Sequence, residues 1–447
     1  MNSEKNFSNE NEAVLTAIHS LSHDGRGIAT LGNKTTFINF ALPAETIVCK
    51  ITKKRKQYNE ADALEILKSS SDRSIPPCHH FGVCGGCSLQ HMNHQAQMAL
   101  KQNTLLEQLK HFGKVTPEIT LPPLHANTTG YRRKARLGVK YVTKKNKLLV
   151  GFREKSSRYL ADLESCAVLH PAVGERFPEL SQLIASLEIY QAIPQIEVAI
   201  GDHDVALVFR HLEAVSENDE KKLADFAMQH HFQIYLQANS PASIQKLWPK
   251  DENQRLSYSL PDHSLVFHFH PLDFTQINLE MNRLMVNQAI QLLDLNADDH
   301  VLDLFCGIGN FTLPIAKYAK QVTGIEGSEE MLTRARDNAV SNQITNTIFH
   351  AANLMEAPVN AEWMKCHYDK VLLDPPRLGA REILPFLSAS GAKKIVYVSC
   401  NPATLARDAG ELVHQHGYSL KYAGIMNMFP HTSHIEAMAV FEKPGRK

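Results

Sequence analysis

Short apolar runs recur along the last third of the chain: VLDLF (301–305), QVTGIE (321–326), KVLLD (370–374) and KIVYVS (394–399). Each is followed by a stretch compatible with a helix. Continuous apolar strands alternating with helices predict a parallel, doubly wound α/β sheet buried on both faces. In such sheets ligands bind beyond the carboxyl ends of the strands, so chemistry is expected just after those four runs. The first part of the chain is patterned differently. Between about 12 and 72, alternating runs broken at Asp24-Gly25, Gly32-Asn33 and Pro43 predict short strands, forming a small β-barrel of a kind that often binds RNA. The segment SIPPCHHFGVCGGC (74–87) is too rich in Pro, Gly and Cys for regular structure. From Ser88 to about Phe112 the pattern is helical, and Gly113 can end the helix. Residues 129–270 give mainly strand-like runs, such as IEVAIG (196–201) and VALVFR (205–210), with one or two helices.

With 447 residues the chain has room for two or three domains. Its formal net charge is zero, so any nucleic-acid reader must concentrate positive charge locally. Two stretches do this. Tyr131 to Arg158 carries 11 Lys or Arg against one acidic residue, Glu154, and Lys50, Lys53, Lys54, Arg55 and Lys56 form a second cluster. Tyr131, Tyr141 and Phe152 are candidate stacking platforms for bases. No apolar run approaches the roughly 20 residues of a membrane span. The N-terminal MNSEKNFSNENEAV lacks the apolar core of a signal peptide. A cytoplasmic protein without a membrane partner is expected, and in that reducing compartment its eight cysteines should be free, catalytic or metal-bound.

The first of the four runs leads into Asp303-Leu-Phe-Cys-Gly307-Ile-Gly309-Asn310. Two glycines let the backbone turn tightly against a ligand at a helix start. Glu326, at the end of the next run, can take both hydroxyls of a ribose. Together they suit an adenosine-type cofactor, and the next two strand ends decide which. Asp374-Pro-Pro-Arg377 forms a rigid extended wall able to flank a base, and Cys400 sits on the turn SCNP; neither belongs to hydride transfer. They suit S-adenosylmethionine and a uracil. Carbon 5 of uracil becomes nucleophilic when a thiolate adds to carbon 6, and a base must then remove the carbon 5 proton. Cys400 is the candidate thiol, with a helix starting near Pro402 whose dipole should favour the thiolate. Glu436 is the candidate base, and the neighbouring His431 and His434 are read as structural or auxiliary. The rival cytosine-5 enzymes commonly carry a second active-site cysteine in the segment corresponding to DPPR; this chain has none there. Amine-directed enzymes usually have an aromatic residue there and no attacking thiol. Cys49, Cys306 and Cys366 are read as packing residues.

Cys78-x5-Cys84-x2-Cys87 with the distant Cys166 has metal-ligand spacing, although His79 or His80 could replace one sulfur. Spacing alone leaves zinc and an iron–sulfur cluster open.

These stretches carry a family resemblance over nearly the whole chain. SHDGRGIA, CxxxxxCGGC, YRRKARL, DFTQIN, DLFCGIGNFTLPIA, LLDPPR, VYVSCNPATLARD and MFPHTSHIEAMAVF resemble the bacterial 23S ribosomal RNA (uracil-1939-C5)-methyltransferases, a branch of the RNA uracil-5 methyltransferase family. The resemblance implies an N-terminal TRAM domain, an OB-like RNA-binding barrel, over 12–72. It implies a β-rich central domain over 73–96 and 129–270, with a 4Fe–4S cluster on Cys78, Cys84, Cys87 and Cys166. The third part is a Rossmann-like S-adenosylmethionine-dependent methyltransferase domain over 97–128 and 271–447. Gln276, Phe305, Asn310, Glu326, Asn353 and Asp374 would contact the methyl donor, Cys400 would be the nucleophile and Glu436 the base. The implied substrate is 23S rRNA, methylated by a monomer without an obligate protein partner. The same chemistry at uridine 747 of rRNA or uridine 54 of tRNA, a cytosine-5 enzyme, and a non-catalytic RNA-binding or iron–sulfur protein are the alternatives.

Overall fold

A computed structural model describes residues 13–251, 253–356 and 361–443. Residue 12 of the expected barrel domain, residue 252 of the central domain and residues 357–360 and 444–447 of the methyltransferase domain lie outside the described residues, as does the N-terminal stretch through residue 12. The chain divides into two compact units, 1–101 with 430–433, and 102–429 with 434–447.

In the first unit, strands Ala13–Ala17, Thr46–Lys54, Tyr58–Lys68, Lys34–Asn39, Gly27–Leu31 and Ser20–Leu21 lie side by side in that order. Alternation buries Ile18, Ala29, Ile38, Ile47, Cys49 and Ala61 as one core. The expected breaks at 24–25 and 32–33 are the turns between strands. A helix that starts in this unit at His94 continues past its boundary to Gln108 and ends in a wider turn at Gly113. It begins six residues later than expected. Asn93 caps it, its side chain accepting from the Ala96 N–H (2.8 Å). The Ser88 and Leu89 N–H groups instead donate to the His431 carbonyl, each at 2.9 Å. His431 is buried, and burial pushes its imidazole down to about 4. It is a neutral structural group.

The second unit holds the remaining sheets. Strands between Lys134 and Trp248 form a mixed six-stranded sheet, accompanied by helices Pro171–Gly174, Phe177–Ala185 and Glu217–His230, one more than the pattern suggested. A hairpin, Leu256–Leu260 with Leu265–Phe269, follows. Part of the basic stretch is structural. Tyr131 is buried at 6% exposure and offers no stacking face. The Lys134 ammonium donates to the Asp273 carbonyl (2.6 Å), and burial pushes it down to about 8. Tyr141 and Phe152 pack edge-on against Tyr190 and Phe177.

The eight-stranded sheet carries the chemistry. Its strands in chain order are β1 (Ile119–Thr120), β2 (His300–Leu304), β3 (Gln321–Glu326), β4 (Thr347–Ala351), β5 (Lys370–Leu373), β6 (Lys394–Ser399), β7 (Ser419–Met426) and β8 (Glu436–Glu442). They lie in the order β4-β3-β2-β5-β6-β8-β7-β1. Strands β2 to β6 pair in parallel, and β8 is antiparallel to β6 and β7. The four apolar runs are β2, β3, β5 and β6, as their pattern predicts. The order reverses between β2 and β5, and such switch points are where doubly wound sheets open a ligand crevice. No helix among the described residues is long and apolar enough to cross a membrane.

Candidate active site

The turn after β2 is built for close approach. Phe305, Gly307 and Gly309 have φ of 64°, 55° and 91°. A phenylalanine at positive φ is strained and persists only where its surroundings enforce it. Cys306, buried at the centre, donates its N–H to the Ile325 carbonyl (3.0 Å). Glu326, at the end of β3, accepts from the Gly307 N–H (3.2 Å) and the Ser328 N–H (3.0 Å). The two strand ends named by the motif are therefore directly bonded.

Behind this turn sits Asp303, fully buried. The Thr312 hydroxyl donates to its Oδ2, while its Oδ1 has no hydrogen-bond partner. Burial, reinforced by Asp374 and Glu326, pushes the Asp303 carboxyl up to about 7. Asp374 follows β5, its N–H donating to the Leu304 carbonyl (3.3 Å), and burial raises its carboxyl to about 7 as well. A buried, unpartnered carboxylate oxygen beside two further acids is costly unless a cation neutralises it. The donor set therefore fits a positively charged ligand such as S-adenosylmethionine. Of the other expected contacts, Asn310 is half-buried at the end of the turn. Gln276 lies in the loop before helix Leu279–Leu293, near Asp273, whose carboxylate pairs with Arg334 (2.5 Å). Asn353 is exposed after β4 and its side chain serves its own loop, donating to Glu356 (2.9 Å) and accepting from the Met355 N–H (3.1 Å).

The antiparallel register of β6 and β8 pairs Ser399 with Ala437. Cys400 and Glu436 are the next residues beyond that last pair, close enough for the Glu436 carboxyl to act on the Cys400 thiol. Cys400 is half-buried and Glu436 is 4% exposed. The expectation that a helix dipole makes Cys400 a thiolate needs correction. The helix is there, Pro402–His414 capped by Asn401. Yet burial pushes the thiol up to about 11, Glu436 and Asp374 push the same way, and Arg377 and a backbone hydrogen bond oppose them less strongly. Burial and Asp374 likewise hold the Glu436 carboxyl well above its usual range. Burial first, and the two carboxyl neighbours after it, outweigh a dipole worth about half a charge.

The wall Asp374–Arg377 is pinned to the Cys400 turn. The Arg377 carbonyl accepts from the Asn401 amide (2.9 Å) and the Thr404 hydroxyl (3.2 Å). Asp408, fully buried, accepts from the Ala380 N–H (2.8 Å) and the Tyr397 hydroxyl (2.7 Å). At Gly379, with φ of 82°, an added Cβ would lie 2.6 Å from both Arg407 and Asp408. The sequence reading passed over Asp408; an acid in the apolar helical run LARDAGELV was the available signal. His434 receives a hydrogen bond from Arg377 (3.3 Å).

Cys78, Cys84 and Cys87 are half-buried in a turn-rich loop of the first unit. The Gly86 N–H donates to the Cys84 sulfur (3.4 Å), and Cys78 donates its N–H to the Gln90 side chain (3.1 Å). Cys166 lies in the second unit, its N–H donating to the Gly174 carbonyl (2.8 Å). Among the described residues no three His, Cys, Asp or Glu side chains are grouped so as to hold a metal ion. Half-buried cysteine sulfurs are donors of a type that iron and zinc accept, so the residue types fit such a group where their grouping does not.

Comparison with known proteins places this geometry among relatives. A family profile described as tRNA (Uracil-5-)-methyltransferase matches residues 93–444, and one described as TRAM domain matches residues 10–64. The chain is 51% identical over 431 residues to the 23S rRNA (uracil(1939)-C(5))-methyltransferase RlmD of Alcanivorax borkumensis, covering 96% of this chain and 97% of that protein. It is 50% identical to the protein of the same name from Hahella chejuensis, covering 97% of this chain and 98% of that one. Among solved structures, the Pyrococcus abyssi tRNA (uracil-54, C5)-methyltransferase in complex with S-adenosyl-L-homocysteine shares the fold. It has a TM-score of 0.74 and 24% identity, over 96% of this chain and all of that one.

Proposed function

Because the chain belongs to the tRNA (uracil-5-)-methyltransferase family, we propose that it methylates carbon 5 of uridine 1939 in 23S rRNA, using S-adenosylmethionine. The observation that carries this reading is a half-buried thiol, Cys400, close enough to the buried carboxyl of Glu436 and to Asp374 for both to act on its ionisation.

The half-buried Cys400 thiol releases its proton to solvent, and the resulting thiolate adds to carbon 6 of the uracil as the electron pair of the 5,6 double bond moves toward carbon 5 and the carbon 4 oxygen. Carbon 5 is then nucleophilic enough to accept a methyl group. Glu436 takes the carbon 5 proton; the electrons of that bond rebuild the double bond and expel the sulfur. Arg377 favours both the thiolate and the carboxylate. The methyl donor, held by Gln276, Phe305, Asn310, Glu326, Asn353 and Asp374, supplies an electrophilic methyl on a positively charged sulfur. A stacked uracil hides carbons 5 and 6, so the target nucleotide must be unstacked or flipped, at a cost of a few kcal/mol.

The acids give a pH dependence of definite sign. Asp303 and Asp374 titrate near 7. A cation binds their ionised forms, so below that pH each must release a proton first. Affinity for S-adenosylmethionine should weaken as pH falls below 7, by at most about tenfold per pH unit for each carboxyl that must ionise. Calorimetry from pH 5.5 to 8.5 checks this; a flat profile contradicts it.

The division into 12–72, 73–96 with 129–270, and 97–128 with 271–447 belongs to the same proposal, with the TRAM domain and the basic stretches gripping RNA phosphates. So does a 4Fe–4S cluster on Cys78, Cys84, Cys87 and Cys166, serving the fold and taking no part in methyl transfer. Iron and sulfide analysis of anaerobically purified protein should find about four of each per chain, as the cluster formula requires; zinc in their place would replace that assignment. We further propose that the protein is a cytoplasmic monomer without an obligate protein partner. Methylation of unmodified 23S rRNA fragments and of tRNA, with mass mapping of the product, tests the target. Modification at uridine 747 or at tRNA uridine 54 in place of 1939 would replace the proposed substrate.

A further inference from the structure

The glycine turn is held by side chains that neither the motifs nor the catalytic pair explain. Asn310 ends that turn. Its Oδ1 accepts two hydrogen bonds, from the Tyr258 hydroxyl (2.8 Å) and from the Asn282 amide (3.0 Å), while its Nδ2 donates back to Asn282 Oδ1 (2.9 Å). The two asparagines thus form a reciprocal amide pair with a phenol against one end. A carboxamide oxygen has two acceptor sites, and both are taken. What the Asn310 side chain retains is one N–H. Toward a ligand it can only donate.

The partners are built to stay in place. Asn282 is 1% exposed on helix Leu279–Leu293, and Tyr258 is 5% exposed on the hairpin Leu256–Leu260 with Leu265–Phe269. The Tyr258 ring stacks on Phe267 at 5.1 Å with 7° between planes. Its phenol stays neutral, pushed far above its usual value by burial, so it donates at every accessible pH. A third buried amide extends the scaffold: Asn338 donates to the Ile308 carbonyl (3.3 Å) and the His268 carbonyl (3.2 Å), and accepts from the His268 N–H (2.8 Å). The hairpin is thereby tied to the turn at residues 308 and 310. A half-satisfied version of this network would leave buried polar atoms unpaired, which costs more than the bonds contribute when made.

We propose that Tyr258 and Asn282 are positioning residues for the methyl-donor site: they lock the Asn310 amide in a single orientation, so that this point of the site selects a hydrogen-bond acceptor on the methyl donor. The chemistry it fits is a carboxylate or ribose oxygen of an S-adenosyl compound. The inference rests on the reading of Asn310 as a contact to that ligand. Without the Tyr258 hydroxyl the amide loses one of the bonds that distinguish its two faces. A turned amide would present oxygen to oxygen. Substrate and product should suffer alike, since a carboxylate or ribose oxygen is common to both and such a contact is uniform binding.

The test is Tyr258→Phe, which removes one oxygen from a ring that remains stacked, assayed with S-adenosylmethionine and a 23S rRNA fragment. The expected result is a rise of about tenfold in KM for S-adenosylmethionine, with kcat and KM for RNA within about twofold of the parent. The Kd for S-adenosylhomocysteine by calorimetry should rise by the same factor. A purely structural role would lower the thermal midpoint or kcat and leave the KM ratio alone. Asn282→Ala should show the same split; should it fail to fold, Tyr258→Phe decides by itself. If the parent protein binds S-adenosylhomocysteine and Tyr258→Phe binds it equally well, this inference is overturned while the family reading stands. If the parent does not bind it, the reading of the site fails first and the inference falls with it.

Discussion

Cys400→Ala should lose methylation of 23S rRNA by on the order of 10^4-fold or more, because the sulfur that adds to carbon 6 of the ring is gone. Binding of S-adenosylmethionine should persist, since the thiol stands after β6 and the glycine turn after β2. Steady-state methyl incorporation alongside calorimetry separates the two effects. Cys400→Ser should not rescue activity: a hydroxyl in a site that already lifts a thiol to about 11 stays protonated. Retained activity in either variant would mean that carbon 5 is reached without covalent help.

Glu436→Gln should fail later in the cycle. Glutamine matches the shape of a glutamate that is 4% exposed, so folding should survive. Sulfur addition and methyl transfer do not need the base, whereas loss of the carbon 5 proton does. Turnover should fall by about 10^2–10^4-fold. Protein linked to methylated RNA should accumulate, visible as a slow-migrating band on a denaturing gel that carries label from the methyl group. A variant that loses turnover without such a band would place Glu436 before methyl transfer.

Much of this was legible in the sequence, and the part that was not has physical reasons. The strands β2, β3, β5 and β6 announce themselves because a strand covered on both faces is apolar throughout. The edge strand β4 is half-exposed, reads TIFHA and gave no such signal. The pairing of Cys400 with Glu436 depends on the register of β6 against β8, residues 36 apart in the chain, and was reached through family motifs and not through any periodicity. Local reasoning also misjudged the thiol. A helix start can be read from Asn401-Pro402, but the burial that outweighs it, and the acids that add to it from β5 and β8, exist only in the folded chain. Tyr131 and Lys134 show the same limit: a basic, aromatic run suggests an RNA face, while two of its members are spent on the interior. Tyr258 and Asn282 carry no motif at all, and only the folded chain brings them to Asn310, 52 and 28 residues away.

The most direct measurement uses the ring itself. A 23S rRNA fragment carrying 5-fluorouracil at the target position is incubated with protein and S-adenosylmethionine, then digested and analysed by mass spectrometry. Fluorine cannot leave as a proton does, so the linked species should persist, with the methylated fluorouracil nucleotide attached to the peptide containing Cys400. Linkage to another residue, or full binding of RNA and methyl donor with no linkage, would contradict the assignment of that sulfur as the nucleophile.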